Sequence, residues 1–352
     1  MTRVFVVDDS AFIRKALARV LGAERGLQLV GVAASGAEAV AKIPDADPDV
    51  VTLDVAMAGM DGLQVLRALL RWKPALKVVM LSAHTRDGAE ATIEALAAGA
   101  VDFIDKTSFN VMDLDTFRRE VIEKLKIWGS VESGAPAARA DAPAPVIHAP
   151  NLAAAVRCEL CVIGASTGGP IALQRILERI PARFPMPIAI VQHMPLGFTR
   201  PFADRLNGLS RLQVSEAGEG DRLRPGHVLV APAGRHLRIT PSLVVLLAAE
   251  PADAKHVPSV DVTMNSAARA RPGRVLGILL TGMGQDGADG MASIRASGGF
   301  AIGESEASCV VYGMPRAAQL RGAADCMLSL PEIIAFLEEL TAASQSKTRA
   351  RR

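Results

Sequence analysis

A serine in Gly164-Ala165-Ser166-Thr167-Gly168-Gly169-Pro170 could act as a nucleophile, because its surroundings read as a turn that exposes a hydroxyl. Leu160-Cys161-Val162-Ile163 before it is short, apolar and rich in β-branched residues, as a buried strand is. After it, Leu173, Ile176, Leu177 and Ile180 recur at helical spacing, and Pro170 suits the first position of that helix. Ser166 therefore falls at a strand-to-helix turn, and the flanking glycines permit both a sharp turn and close approach of a substrate to the backbone. The segment also satisfies G-x-S-x-G. The alternative is a serine that merely caps a helix in a glycine-rich turn.

A serine hydroxyl needs a base, and the base works best when a carboxylate holds its tautomer. Among six histidines, His193 in Val191-Gln192-His193-Met194-Pro195 directly follows an apolar strand, as Ser166 does, which puts both on one sheet edge. His148 lies in an Ala/Pro-rich stretch, His84 in the N-terminal half, and His227, His236 and His256 in or near a region of short apolar runs. The acid should come from a third strand end. Val275-Leu276-Gly277-Ile278-Leu279-Leu280 leads into Thr281-Gly282-Met283-Gly284-Gln285-Asp286-Gly287-Ala288-Asp289-Gly290, and the chemistry alone does not choose between Asp286 and Asp289. A magnesium or phosphate loop is another reading of these glycines, although no Walker lysine accompanies them. The order Ser, His, Asp differs from the Ser, Asp, His order of α/β-hydrolases, so G-x-S-x-G does not bring that fold with it.

The N-terminal third holds a second constellation: Asp8 and Asp9 after a first strand, Asp54 after a third, Ser82 after a fourth and Lys106 after a fifth. Parallel α/β sheets gather functional groups beyond the carboxyl ends of their strands. Three carboxylates so gathered repel one another and call for a divalent cation, magnesium by their oxygen chemistry. Asp54 could then attack a phosphoryl group whose oxygens Ser82 and Lys106 contact.

These groups must be positioned by two cores. Strands are expected at 3–7, 28–33, 49–53, 76–81 and 101–104, alternating with helices, the first of which has Ile13, Ala16, Leu17, Val20 and Leu21 on its apolar face. Five such units predict a doubly wound, flavodoxin-like parallel sheet over residues 1–125. Residues 126–156 read as an extended linker with Pro136, Pro143, Pro145 and Pro150. Residues 157–345 read as a second doubly wound α/β domain, with further strands at 188–191 and 275–280. Gly218-Glu219-Gly220-Asp221, Pro225-Gly226 and Ala233-Gly234 break 213–248 into what reads as an antiparallel hairpin extension. Residues 346–352 form a basic tail.

With 39 basic and 37 acidic residues among 352, the chain has a formal charge of +2 and no electrostatic footprint for nucleic acid. Its longest apolar runs, such as 243–249, are too short to insert in a membrane, and no signal peptide is read, since Asp8-Asp9 interrupts Val4-Phe5-Val6-Val7. Cys158 and Cys161 have C-x-x-C spacing, but without a matching second pair they read as small apolar residues of a reducing, cytoplasmic compartment.

Over positions 1–125 the acidic constellation resembles the response-regulator receiver domain. The resemblance implies phosphorylation of Asp54 by a histidine kinase, Mg2+ held by Asp9 and Asp54 with Asp8 nearby, and a switch coupling Ser82 to Phe103. Two positions depart from it, Ala58 and Thr107, where proline is common; a cis bond before Thr107 would cost about 3 kcal/mol. In the second half GASTGGP at 164–170, QHMP at 192–195, PSVD at 258–261 and TGMGQDGADGM at 281–291 resemble the chemotaxis protein-glutamate methylesterase family, CheB. That resemblance implies Ser166 as nucleophile, His193 as general base and acid, Asp286 as orienter and backbone donors near Met283 as an oxyanion hole. It implies a hydrolase of glutamate γ-methyl esters on methylated chemoreceptors, with possible deamidation of glutamine, no cofactor for hydrolysis, and control by the tethered receiver. Two alternatives differ in class: a response regulator with a non-catalytic binding or transcriptional output, and a dinucleotide enzyme built on 164–169. No helix-turn-helix pattern supports the first, and Ser166 breaks the G-x-G-x-x-G that the second requires.

Overall fold

The chain divides into two compact units, Met1–Ala137 and Ala138–Arg352. The computed structural model describes residues 1–83, 85–106, 114–130, 151–251 and 254–350, so His84, Thr107 and His148 lie outside the described residues.

The first unit alternates β1 (Thr2–Val7), α1 (Ala11–Gly22), β2 (Leu27–Ala33), α2 (Gly36–Ala46), β3 (Val50–Asp54), α3 (Gly62–Trp72), β4 (Lys77–Ser82), α4 (Arg86–Ala97), β5 (Asp102–Asp105) and α5 (Leu114–Ser130). Its five strands pair in parallel in the order β2-β1-β3-β4-β5. The expected strands are all present, each displaced by one residue at most ends. Side-chain caps set the helix starts: Ser10 accepts from Ile13 N–H, Ser35 from Glu38 N–H and Asp61 from Gln64 N–H. Every residue of β3 is buried, as a central parallel strand requires, and Leu17 and Leu21 of α1 are buried as their spacing predicts. The expected boundary at 125 falls inside α5, whose Val121, Leu125 and Trp128 keep packing as core residues to the helix's last turn.

The second unit contains α6 (Leu152–Ala155), β6 (Leu160–Ala165), α7 (Gly169–Arg179), β7 (Ile188–Gln192), α8 (Thr199–Leu209), β8 (Gln213–Glu216), β9 (His227–Val230), β10 (His236–Ile239), β11 (Val245–Ala248), α9 (Val260–Ala270), β12 (Val275–Leu279), α10 (Ala288–Ala296), β13 (Phe300–Glu304), α11 (Met314–Leu320), β14 (Cys326–Leu328) and α12 (Leu330–Ala350). Seven strands form one parallel sheet in the order β14-β13-β12-β6-β7-β9-β8. From β6 the chain winds first toward β7 and later returns on the opposite side through β12. The carboxyl ends of β6 and β12 therefore flank the topological switch point, where such folds leave a crevice.

The hairpin expectation for 213–248 holds only for β10 and β11, which pair antiparallel. β8 and β9 instead extend the parallel sheet. The glycine-rich segment between them does not turn back sharply; it runs along the hairpin, with Gly220 N–H donating to Val245 O and Leu223 N–H to Leu243 O. The expected tail also begins inside α12, which continues to Ala350. Among the described residues no helix is long and apolar enough to cross a membrane.

Two glycines with opposite surroundings test this packing. A Cβ at Gly208 in α8 would meet nothing within 4 Å, so Gly208→Ala should stabilise by about 0.5–1 kcal/mol through its helix preference. A Cβ at Gly62 would come 2.1 Å from the Asp54 carbonyl oxygen, and Gly62→Ala should cost about 1–3 kcal/mol. Thermal melts of the two variants should move in opposite directions.

Candidate active site and acidic pocket

The register of the parallel sheet, not the serine turn alone, brings the backbones of the first two candidate residues side by side, while no hydrogen bond joins the Ser166 hydroxyl to His193 Nδ1. Ala165 pairs with Gln192 as the last rung between β6 and β7, and His193 N–H then donates to Ala165 O at 3.1 Å. Ser166 and His193 thus leave adjacent strands at the same level. On the other side of β6, Ser166 N–H donates to Thr281 O at 3.0 Å, which joins the serine to the loop after β12. Thr281 is itself held on three sides. Its hydroxyl donates to Thr167 O at 3.0 Å and accepts from Val311 N–H at 2.9 Å, while its N–H donates to Glu304 Oε2 at 2.7 Å. Burial pushes the Glu304 carboxyl above its ordinary pKa, although hydrogen bonds from Thr281 and Ser308 oppose the shift. Ser166 does not cap α7: that position belongs to Gly168, at φ 79°, with no side-chain cap.

Asp286 and His193 meet directly, with His193 Nε2 2.8 Å from Asp286 Oδ2. The other ring nitrogen, Nδ1, is buried and has no hydrogen-bond partner among the described residues. The nitrogen facing the carboxylate is thus the reverse of the Nδ1 pairing in the familiar serine-protease triad. Asp286 carries three further bonds, all from the start of α9: Ser259 Oγ at 2.8 Å, Val260 N–H at 2.8 Å and Asp261 N–H at 2.9 Å. Burial would raise its pKa, but the His193 hydrogen bond and charge and these helix N-terminal donors outweigh burial and hold it below the usual carboxylate range. Asp289 is exposed and pairs with Arg321 instead.

Glycines let the 281–290 loop make this approach. A Cβ at Gly282 would come 2.8 Å from Ser166 Cβ, and Gly287 sits at φ 95°. Met283, 39% exposed, follows Gly282 at the serine's edge. A cleft of about 710 Å³ opens alongside, walled by Asp286, His256, Lys255, Tyr312 and Arg316 among others. Ser166 and His193 are not part of its wall.

In the first unit, the ligand oxygens of Asp8, Asp9 and Asp54 all lie within 4.8 Å of one another. Lys106 Nζ bridges two of them, 3.1 Å from Asp8 and 2.8 Å from Asp54. Burial raises the Asp54 pKa and the Asp8 charge adds to it, against the pull of Lys106. Ser82 Oγ is engaged with the start of α4, accepting from Thr92 Oγ1 at 2.7 Å and facing Gly88 O at 3.2 Å. Phe103 is buried, under Lys124 Nζ at 5.3 Å from its ring centre.

The CheB methylesterase family model matches residues 161–337, and the response regulator receiver domain model matches residues 4–115. A Pseudomonas aeruginosa protein named protein-glutamate methylesterase/protein-glutamine glutaminase 2 is 44% identical, over 98% of this chain and 99% of its own. The chain belongs to the CheB methylesterase family. A Lawsonia intracellularis relative named protein-glutamate methylesterase/protein-glutamine glutaminase is 41% identical over 95% of this chain and 97% of its own. The Thermotoga maritima CheB methylesterase catalytic domain crystal structure is 39% identical and covers 52% of this chain and 98% of its own, with a TM-score of 0.50.

The CheB-family site includes residues that reading the sequence did not assign. Ser259, Val260 and Asp261 are the PSVD segment, whose function is to grip Asp286. His236, fully buried, accepts from Ser259 N–H at 3.1 Å through Nδ1 and so fixes that grip. His256 stacks on His193 with ring centres 4.1 Å apart and planes 15° apart. The signals in the sequence were the PSVD motif itself and a serine at 259 placed to cap the helix that follows. The four cysteines are buried and free, and burial pushes the Cys158 thiol up to about 11, as apolar packing residues would show.

Burial, joined by the His193 charge, lowers the His256 pKa from 6.5 to about 4. Its neutral form stabilises the fold fully above the unfolded value, and that contribution is lost as pH falls between 6.5 and 4, where the unfolded chain binds the extra proton. His256→Phe should therefore lose less melting temperature than wild type across that window in pH-dependent thermal melts.

Proposed function

We propose that Ser166, His193 and Asp286 form the catalytic triad of a protein-glutamate methylesterase acting on methylated chemoreceptors. The observation that carries this reading is the 2.8 Å bond between His193 and Asp286 at the mouth of the strand that pairs with the serine's own. Asp286 keeps a proton on His193 Nε2, which leaves Nδ1 as the base. Nδ1 takes the proton of Ser166 Oγ as the oxygen attacks the ester carbonyl. The tetrahedral oxyanion is received by backbone donors near Met283. His193 returns the proton to the departing methoxide, giving methanol and an acyl-serine. Water, deprotonated by the same nitrogen, then releases glutamate and restores Ser166. Glutamine presents the same acyl chemistry with ammonia as the leaving group, which supports glutaminase activity as well.

The receiver sets the rate of this domain. A histidine kinase is the phosphodonor and Asp54 the acceptor, with Ser82, Phe103 and Lys106 responding to the phosphoryl group. The donor set fits a magnesium ion: three carboxylates, one of them with a raised pKa, cluster around Lys106, and the Arg14 guanidinium beside them donates to the backbone carbonyls of Asp8 and Asp9. Asp8, Asp9 and Asp54 would hold it, and when bound it supplies charge shielding for the incoming phosphoryl oxygens. A linker between the units gives the receiver a high effective concentration near the catalytic domain, which suits control by occlusion. The cytoplasm, where receptor tails and kinase are found together, is the matching location.

Ser166→Ala should reduce methanol release from methylated receptor membranes by roughly 10³- to 10⁶-fold. Near-normal release would remove Ser166 from the mechanism. Asp54→Asn should show no rise over its own unstimulated rate when a small-molecule phosphodonor and Mg2+ are added, and a rise equal to that of wild type would sink the receiver assignment.

A further inference from the structure

We propose that Gln192 is a positioning residue that ties the backbones of nucleophile and base together, seated in space that only glycine at 169 leaves open. Gln192 is the last residue of β7 and is 2% exposed. Its side-chain Nε2 donates to Ser166 O and to His193 O, each at 3.0 Å. One amide group thus holds both carbonyls just past the final rung of the β6 and β7 ladder, in addition to the backbone bonds that His193 N–H and Ser166 N–H donate there.

Its other end gives the second observation. Gln192 Oε1 is buried without a hydrogen-bond partner among the described residues. An unsatisfied buried acceptor is destabilising, and that cost is set against the two carbonyls the same amide satisfies. The donor end explains the amide. Gly169 explains how it fits: a Cβ there would come 2.1 Å from Gln192 Oε1 and 2.7 Å from Ala165 Cβ. Gly169 is not among the glycines with positive φ, so its lack of a side chain serves space and not backbone conformation.

This inference rests on Ser166 and His193 being nucleophile and base, and Ser166→Ala serves as the reference. Gln192→Leu keeps the volume and deletes the donors. It should lower kcat by about 10- to 100-fold with KM within about twofold, since small misplacement of reacting groups has that effect on rate. Labelling of Ser166 by a fluorophosphonate probe should slow in parallel, while thermal melts show a folded protein. Wild-type kcat in Gln192→Leu, alongside an inactive Ser166→Ala, would overturn the inference and leave the triad standing; an active Ser166→Ala would overturn both.

A second measurement covers the case in which Gln192→Leu does not fold. Gly169→Ala should slow turnover by pushing the amide away, and should cost distinctly less in the Gln192→Ala background, where only the approach to Ala165 Cβ remains. Additive losses from Gly169→Ala and Gln192→Ala would refute the shared seat.

Discussion

The catalytic half depends on one largely buried carboxylate, with 11% of its side chain exposed. Asp286 lies where burial alone would make its negative charge unstable, and a charge in such a place persists only when it is paired and hydrogen-bonded. Four donors converge on it: the histidine ring, a serine hydroxyl and two backbone N–H groups at the start of α9. The helix terminus has unsatisfied N–H groups to offer and a dipole that favours an anion. Asp286 holds the edge of the His193 ring at Nε2, and the stacked ring of His256 covers one face of that imidazole. The reactive geometry is therefore a by-product of neutralising one anion.

The receiver handles its acids in the opposite way. Asp8, Asp9 and Asp54 are gathered with fewer fixed donors: Asp54 accepts from Ala56 N–H, Asp8 from Ser10 N–H, and Lys106 bridges the two. Asp54 consequently has a raised pKa where Asp286 has a lowered one. A pocket short of positive charge is receptive to a cation and to a change in its own charge, which is what a phosphoacceptor requires. A saturated carboxylate such as Asp286 cannot be altered without disturbing everything bonded to it. One half is built for response and the other for rigidity, and the number of fixed donors around the acids makes the difference.

Much of this was legible beforehand because parallel α/β domains announce themselves locally. Continuous apolar runs gave the strands of both sheets, and a chemical group directly after such a run lies at the carboxyl edge whatever the rest of the fold does. Ser166, His193, Asp8, Asp54 and Ser82 were found on that basis. The region 213–230 misled for a local reason as well. Gly218 to Asp221 and Pro225-Gly226 look like turns between hairpin strands, yet the segment pairs with β11 and lets the chain rejoin the sheet in the parallel sense. Turn residues report a change of direction and not which strand will accept the next one.

The sequence by itself determined the two domains, their class, the strand ends and the residue types placed there, because periodicity and turn chemistry act over a few neighbouring residues. Residue chemistry left Asp286 and Asp289 open and the family resemblance pointed to Asp286; only the tertiary structure put Asp286 on His193 and Asp289 on Arg321, recruited Ser259 and the α9 terminus, set His256 against His193 and seated Gln192 beside Gly169. Those choices depend on register between strands and on the approach of a loop to a helix end far away along the chain. Hydrogen bonds of 2.8 Å leave no trace in the spacing of residues that are 93 positions apart.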